Sequence, residues 1–366
     1  MQETVDTLQR SLADGLQRRA LLPTRDGRAQ PEALAAAAAA ADPDERALFD
    51  CLDLVYLLHI LHAWPHTAPE TRARWWRAIV ARQDGRGWFH ARDRQRHSPV
   101  HVTAYALGAL RLLAGPQTEA LGPHPRAPHG LCAIGPDEAV GRAGRAALGP
   151  LERLHFWRGS HRAGGVVAIQ ALLAEPVLGG AGTDAVTPAL RALVADWMAA
   201  SDAATGCWTL APAWQQRPFD LLFALRHAPP HCRLGAAAHI YWPAARLGVP
   251  CAHPRAALDA VAIAQRPDGR FENTPYCLDY DGLFIARHAL RSAEGGRDDM
   301  QVYLTGIAAG VRANIERAAI DGRLWARGVH GMVGALAALA LAGRVLDGDA
   351  GEAPRLADPL EETWWL

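Results

Sequence analysis

The chain alternates two kinds of helical stretch. In the first kind charges recur on one face. Arg72, Arg74 and Arg77 do so beside the stretch 75–83, and Arg312, Glu316 and Arg317 within 303–319. A helix with one charged face lies at a surface. In the second kind apolar and small residues run nearly all the way round, at 48–62, 102–113, 163–173, 221–226, 283–290 and 331–342. Such helices are buried.

The two kinds follow one another with a fixed grammar. The stretches 75–83, 190–200, 256–265 and 303–319 each run into a glycine turn and then an aromatic residue. The turns read Asp84-Gly85-Arg86-Gly87-Trp88, Thr205-Gly206-Cys207-Trp208, Asp268-Gly269-Arg270-Phe271 and Asp321-Gly322-Arg323-Leu324-Trp325. Glycine ends a helix by adopting a positive φ. A loop and an apolar helix follow each turn. Phe156-Trp157-Arg158-Gly159 before 163–173 is a degenerate fifth unit, and 48–62 a sixth inner helix. The period, about 60 residues, is long for an open solenoid. We therefore expect an all-α, α/α toroid, a barrel of inner and outer helices with about six helix pairs around a central cavity. An open helical array is the alternative. The whole chain, 1–366, reads as one domain, with an N-terminal helical arm (1–44) and a C-terminal tail (344–366) whose Trp364-Trp365 docks back on the ring. The Pro- and Gly-rich stretches 115–136 and 178–188 are loops within it.

Composition narrows the function classes. Lys plus Arg and Asp plus Glu number 38 each, a formal net charge of zero, so no basic excess points to nucleic acid. Half the residues are hydrophobic, but the longest low-charge runs, 33–41 and 332–343, are too short for a membrane span. The N-terminus lacks a basic segment followed by an apolar one, so we expect a cytoplasmic protein. The Ala/Arg/Pro bias suggests a bacterial, GC-rich source. The six cysteines form no Cys-x-x-Cys pair and read as buried thiols. No phosphate-binding glycine loop, nucleophile elbow or Ser/His/Asp pattern stands out.

The candidate chemistry lies where loops enter the inner helices. His101, His161, Asp220, Asp279, Asp281 and His330 fall at these starts, with Trp157, Arg158, Tyr276 and Cys277 nearby in sequence. Asp220 also suits a helix cap. His59 and His62 share one face of their helix. The densest signal is Pro275-Tyr276-Cys277-Leu278-Asp279-Tyr280-Asp281-Gly282. Two carboxylates this close raise one another's pKa, while a helix N-terminus favours ionisation. If burial wins, one Asp stays protonated and serves as a general acid.

The spacing Gln265-Arg266-Pro267-Asp268-Gly269-Arg270-Phe271, with a shortened form at Gln83–Trp88, resembles the repeats of the terpene cyclase and protein prenyltransferase superfamily. The likeness extends as periodicity over about residues 70–343. Asp279-Tyr280-Asp281-Gly282 resembles the Asp-x-Asp-Asp motif of class II terpene cyclases, with glycine in place of the last aspartate. That resemblance implies proton donation by Asp281, tuned by Asp279 and oriented by His101 or His330. Tyr276, Trp157 and Trp208 would line the pocket. The zinc set of the prenyltransferases would fall on Cys277, Asp279 and His330, with the family's Asp-x-Cys order reversed. We expect no cofactor, zinc or magnesium being the alternatives.

The expected function is a terpene cyclase-like or prenyltransferase-like enzyme acting on an isoprenoid-type small molecule. The second reading is a carbohydrate-active α/α-barrel enzyme, an epimerase or hydrolase, in which the same His and Asp residues do acid/base work and Trp157, Arg158 and His161 hold a sugar. The third is a non-catalytic toroid scaffold. Neither a nucleic-acid partner nor a membrane span is expected.

Overall fold

The computed structural model describes residues 31–91, 97–115, 121–131, 156–208, 229–272, 275–326, 328–347 and 356–366. Every regular element among them is helical. The helices are α1 (Pro31–Ala40), α2 (Leu48–Ile60), α3 (Pro69–Val80), α4 (Pro99–Ala114), α5 (Phe156–Ala174), α6 (Thr187–Ala199), α7 (Pro229–Arg246), α8 (Pro254–Ala264), α9 (Cys277–Ser292), α10 (Arg297–Ile320) and α11 (Gly328–Asp347). One further helical turn, Arg323–Ala326, precedes α11.

The two helix kinds sort as their patterns require. In α2 every residue but Asp50 is buried, whereas α3 buries only Trp75, Trp76, Ala78 and Ile79. The apolar helices pack on one another in sequence: α2 on α4, α4 on α5, α5 on α7, α7 on α9, α9 on α11, and α11 back on α2. The amphipathic helices cover them: α3 lies on α4, α6 on α7, α8 on α9, and α10 on α9 and α11. One helix, Val329–Asp347, is long and apolar enough to cross a membrane, but 67% of it is buried inside the fold, as a core helix should be.

The glycine turns follow one design. Gly87, Gly206, Gly269 and Gly322 all have positive φ, between 63° and 84°. In the two turns that carry the glutamine, its amide ties the turn to a neighbouring segment. Gln83 Nε2 donates to Gly87 O at 2.7 Å and to Arg126 O at 2.6 Å; Gln265 Nε2 donates to Gly269 O at 3.0 Å and to Ile307 O at 3.1 Å. Space also demands glycine: a Cβ at Gly269 would stand 2.6 Å from the Gly310 Cα. Phe271 and Trp208 are the buried plugs expected, but in the first turn Phe89 fills that role and Trp88 is half-buried.

One inner helix departs from expectation. The stretch 221–226 lies outside the described residues, and the helix packed between α5 and α9 is α7, at Pro229–Arg246. Pro229 and Pro230 open it, where a missing N–H costs nothing. Pro243 sits inside it and withdraws the donor that would meet the His239 carbonyl. Gly164 of α5 packs against that carbonyl with no room for a side chain.

The C-terminal tail packs among the apolar helices. Ala357 N donates to Ile60 O at 2.9 Å, where α2 ends. Tyr280 Oη donates to Asp358 Oδ1 at 2.6 Å, and Arg246 Nη1 to Glu361 O at 2.6 Å. Arg344 pairs with Glu361. The tail then enters the helices, where Trp365 is fully buried and its carbonyl accepts from Tyr56 Oη at 2.6 Å. Gly108 of α4 leaves the space that Tyr56 Oη and Thr363 Oγ1 occupy. The docking of Trp364-Trp365 is thus an insertion rather than a surface contact.

Candidate functional site

Three inner helices bring imidazoles together above the tail. His101 lies in the first turn of α4, which begins at Pro99 behind the cap Ser98, whose Oγ accepts from His101 N at 3.3 Å. His161 lies on α5 and His239 on α7. The His101 and His161 rings stack at 4.8 Å between centroids, and His161 and His239 stand 3.9 Å apart. His97 continues the row, stacked on His101 at 4.5 Å, and His330 of α11 meets His97 edge-on at 5.6 Å. Five imidazoles from residues 97 to 330 therefore form one arc.

The nitrogens have defined roles. An indole N–H only donates. Trp365 Nε1 donates to His101 Nδ1 at 3.0 Å, so the proton of the neutral ring resides on Nε2. That atom is buried and has no hydrogen-bond partner among the described residues. His239 is set the other way. Its Nδ1 bonds to Gly235 O at 2.6 Å, and because a carbonyl only accepts, Nε2 carries the lone pair. Burial, with the nearby charges of His97 and His239, pushes the His101 pKa well below the ordinary value. Burial takes His239 down to about 3. Both rings are neutral at pH 7. His101, His161 and His239 each offer a nitrogen within 4.8 Å of the other two, and these three are the residues placed to hold a transition-metal ion.

At the far end of the arc stands a carboxylate–imidazole pair. Asp53 is buried on α2, and its Oδ1 accepts from His330 Nδ1 at 2.9 Å and from Tyr105 Oη at 2.9 Å. Phe49 packs against His330 at 5.0 Å and against His97 at 4.9 Å. Tyr276 faces His330 at 6.3 Å. The bond to Asp53 fixes the His330 proton on Nδ1, which leaves Nε2 the basic nitrogen. His330 keeps 24% of its side-chain exposure and Asp53 only 3%, so the imidazole is the more exposed partner and the carboxylate supports it from within.

The fold thus gathers His101, His161, His330 and Tyr276. It places the other expected residues elsewhere. Asp279 caps α9: its Oδ2 accepts from Tyr276 N at 3.0 Å and its Oδ1 from Asn314 Nδ2 at 3.3 Å. Burial still raises its pKa to about 7. Asp281 is fully buried, neither carboxyl oxygen has a partner among the described residues, and burial with the charge of Asp279 raises its pKa well above the carboxylate range. No hydrogen bond joins Asp281 to His101 or His330 among the described residues. Gly282 stands where the resemblance would want a third aspartate, and a Cβ there would meet Phe271 Cζ at 2.7 Å. Burial raises the Cys277 thiol well above its usual pKa. Trp208 packs on Trp197 of α6, away from the histidines. Trp157 and Arg158 fall in the first turn of α5 with their side chains outside the described residues, and Asp220 lies outside them altogether.

Sequence reasoning missed Asp53, His97 and His239. Asp53 had a signal, being an acid on the inner face of an apolar helix. His239 lies on α7, outside the inner-helix stretches that the sequence pattern marked. Comparison with protein-family models, with curated proteins and with solved structures finds no match for this chain.

Proposed function

We propose that the chain is an α/α-toroid enzyme that performs proton-transfer chemistry on a small polar substrate, with His330 as the general base held by Asp53. The cyclic packing of α2, α4, α5, α7, α9 and α11 under an amphipathic outer layer supports the toroid. The observation that carries the function is the Asp53–His330 bond of 2.9 Å at a partly open imidazole. A buried carboxylate that orients an imidazole keeps the basic nitrogen aimed and stabilises the imidazolium formed when it takes a proton. The hydrogen-bonding lining favours the carbohydrate-active reading over the isoprenoid one. Basic imidazole nitrogens would deprotonate or trap a carbocation, which needs dry, non-basic walls.

One observation favours the isoprenoid reading instead: Asp281 is fully buried, its carboxyl oxygens have no hydrogen-bond partner among the described residues, and burial raises its pKa, which favours the protonated form that a general acid needs. The two separate in one experiment. The chain is incubated in D2O with a panel of hexoses, hexuronates and prenyl diphosphates, and products are read by mass spectrometry. Deuterium entering a sugar carbon, lost in His330→Gln and reduced in Asp53→Asn, supports the proposal. Turnover of a prenyl diphosphate that Asp281→Asn abolishes and His330→Gln leaves intact overturns it.

A further inference from the structure

We propose that His101, His161 and His239 form a transition-metal site of the zinc type, and that Trp365 of the tail competes with the metal for His101. The proposal deepens the reading above, because it puts a Lewis acid on the same arc as the His330 base. The geometry carries it. Three imidazoles from α4, α5 and α7 present nitrogens within 4.8 Å of one another. Nitrogens bound to zinc at about 2.0–2.1 Å in tetrahedral array stand about 3.3 Å apart, so side-chain rotations of about 1 Å assemble the set. His239 is prepared in the manner of a ligand, with Nδ1–H on a backbone carbonyl and Nε2 as the donor atom. His101 supplies the second, independent sign: a buried Nε2 with no partner among the described residues. Three protein nitrogens with a fourth position left for water or substrate are the catalytic type of zinc site.

The tail's role follows from the protons. Trp365 Nε1–H donates to His101 Nδ1. For His101 to bind a metal through Nε2, its proton must pass to Nδ1, where it would face the indole hydrogen. For it to bind through Nδ1, the indole must leave. Either route breaks the Trp365–His101 bond, with no net release of protons. Metal binding and full insertion of the Trp365 indole are therefore opposed.

The test uses the full chain stripped with a chelator and titrated with Co2+, followed by its visible d–d absorption, and with Zn2+ by calorimetry. We expect one equivalent of each ion to bind, a loss of affinity of at least about tenfold in His161→Gln and in His239→Gln, and no change in His288→Gln, a buried histidine of α9 remote from the arc. Trp365→Phe, which keeps an aromatic side chain and removes the N–H, tightens binding by about tenfold, or about 1.4 kcal/mol. Far-UV circular dichroism confirms that each variant is folded. Absence of binding up to millimolar ion, or binding that survives both His161→Gln and His239→Gln, overturns the site. Unchanged or weaker binding by Trp365→Phe overturns the competition. Asp53→Asn and His330→Gln leave metal affinity intact, so the metal site stands or falls apart from the base.

Discussion

Truncating Trp365 tests whether the tail is part of the core. The side chain is fully buried between α4, α5 and α7, with ring contacts to His101, His161, His239 and Trp242 at 5.0–6.3 Å. A buried Trp→Ala change costs about 3–5 kcal/mol through lost transfer energy and the cavity left behind. Leaving His101 Nδ1 without its donor adds about 1 kcal/mol. The Tyr56–Trp365 carbonyl bond survives, because it uses the backbone. Trp365→Ala should therefore lower the unfolding free energy by about 4–6 kcal/mol. Trp365→Phe, which keeps most of the apolar volume, should lower it by about 1–2 kcal/mol. Urea titration at pH 7 followed by far-UV circular dichroism measures both. If Trp365→Ala lies within about 1 kcal/mol of the parent chain, a value typical of surface positions, the tail does not insert and the packing of Trp365 against the histidine arc is wrong.

Other consequences are as direct. Gly269→Ala should cost about 2–4 kcal/mol in the same urea assay, because its φ of 84° and the Gly310 backbone 2.6 Å away both oppose a Cβ. Gly248→Ala, with a φ of 66° and open space around it, should cost only about 1–2 kcal/mol, and equal losses at the two sites would refute the packing argument. Burial holds His288 at about 4, with His59 likewise at about 4. Between pH 6.5 and 4 the unfolded chain binds protons at these residues that the folded chain refuses, so stability falls as pH falls. His288→Gln should flatten that slope by about 1.4 kcal/mol per pH unit; an unchanged slope would show that His288 titrates freely in the fold. Asp279 acts in the opposite sense: with its pKa raised to about 7, the folded chain holds a proton that the unfolded chain has released, and its contribution is lost as pH rises from about 4 to 7. Asp281→Leu should stabilise the chain by about 1–2 kcal/mol at pH 8, since it removes a desolvated carboxyl that has no hydrogen bonds among the described residues. A loss of stability there would reveal a partner for that carboxyl.

The split into outer and inner helices was legible because it rests on periodicity. A charged stripe at Arg72, Arg74 and Arg77 has one physical solution, and an apolar stretch such as 331–342 has another. The turns were legible too, since Gly87, Gly206, Gly269 and Gly322 occupy conformations that other residues resist. What escaped was long-range. No pattern along the chain says that Trp365 threads back to His101 across 264 residues, or that His330 finds Asp53 across 277. Helix α7 lies outside the expected stretches and carries three prolines: Pro229 and Pro230 sit where a helix has donors to spare, and Pro243 is accommodated by Gly164.

The residues that break the pattern of the inner helices are the informative ones. Asp53, His101, His161, His239 and Asp281 each put a polar group where an apolar one would pack at lower cost. Asp53 offsets that cost with two hydrogen bonds, from Tyr105 and His330. Asp279, by contrast, is fully explained by its cap and Asn314. His101 Nε2 and the Asp281 carboxyl have nothing comparable among the described residues. Each could be relieved by one apolar substitution, so these two positions are where a binding or catalytic role is best tested. The metal proposed at the imidazoles accounts for His101 alone and leaves the Asp281 carboxyl to be tested by itself. Stability gained at position 281 without loss of Co2+ binding would separate the two.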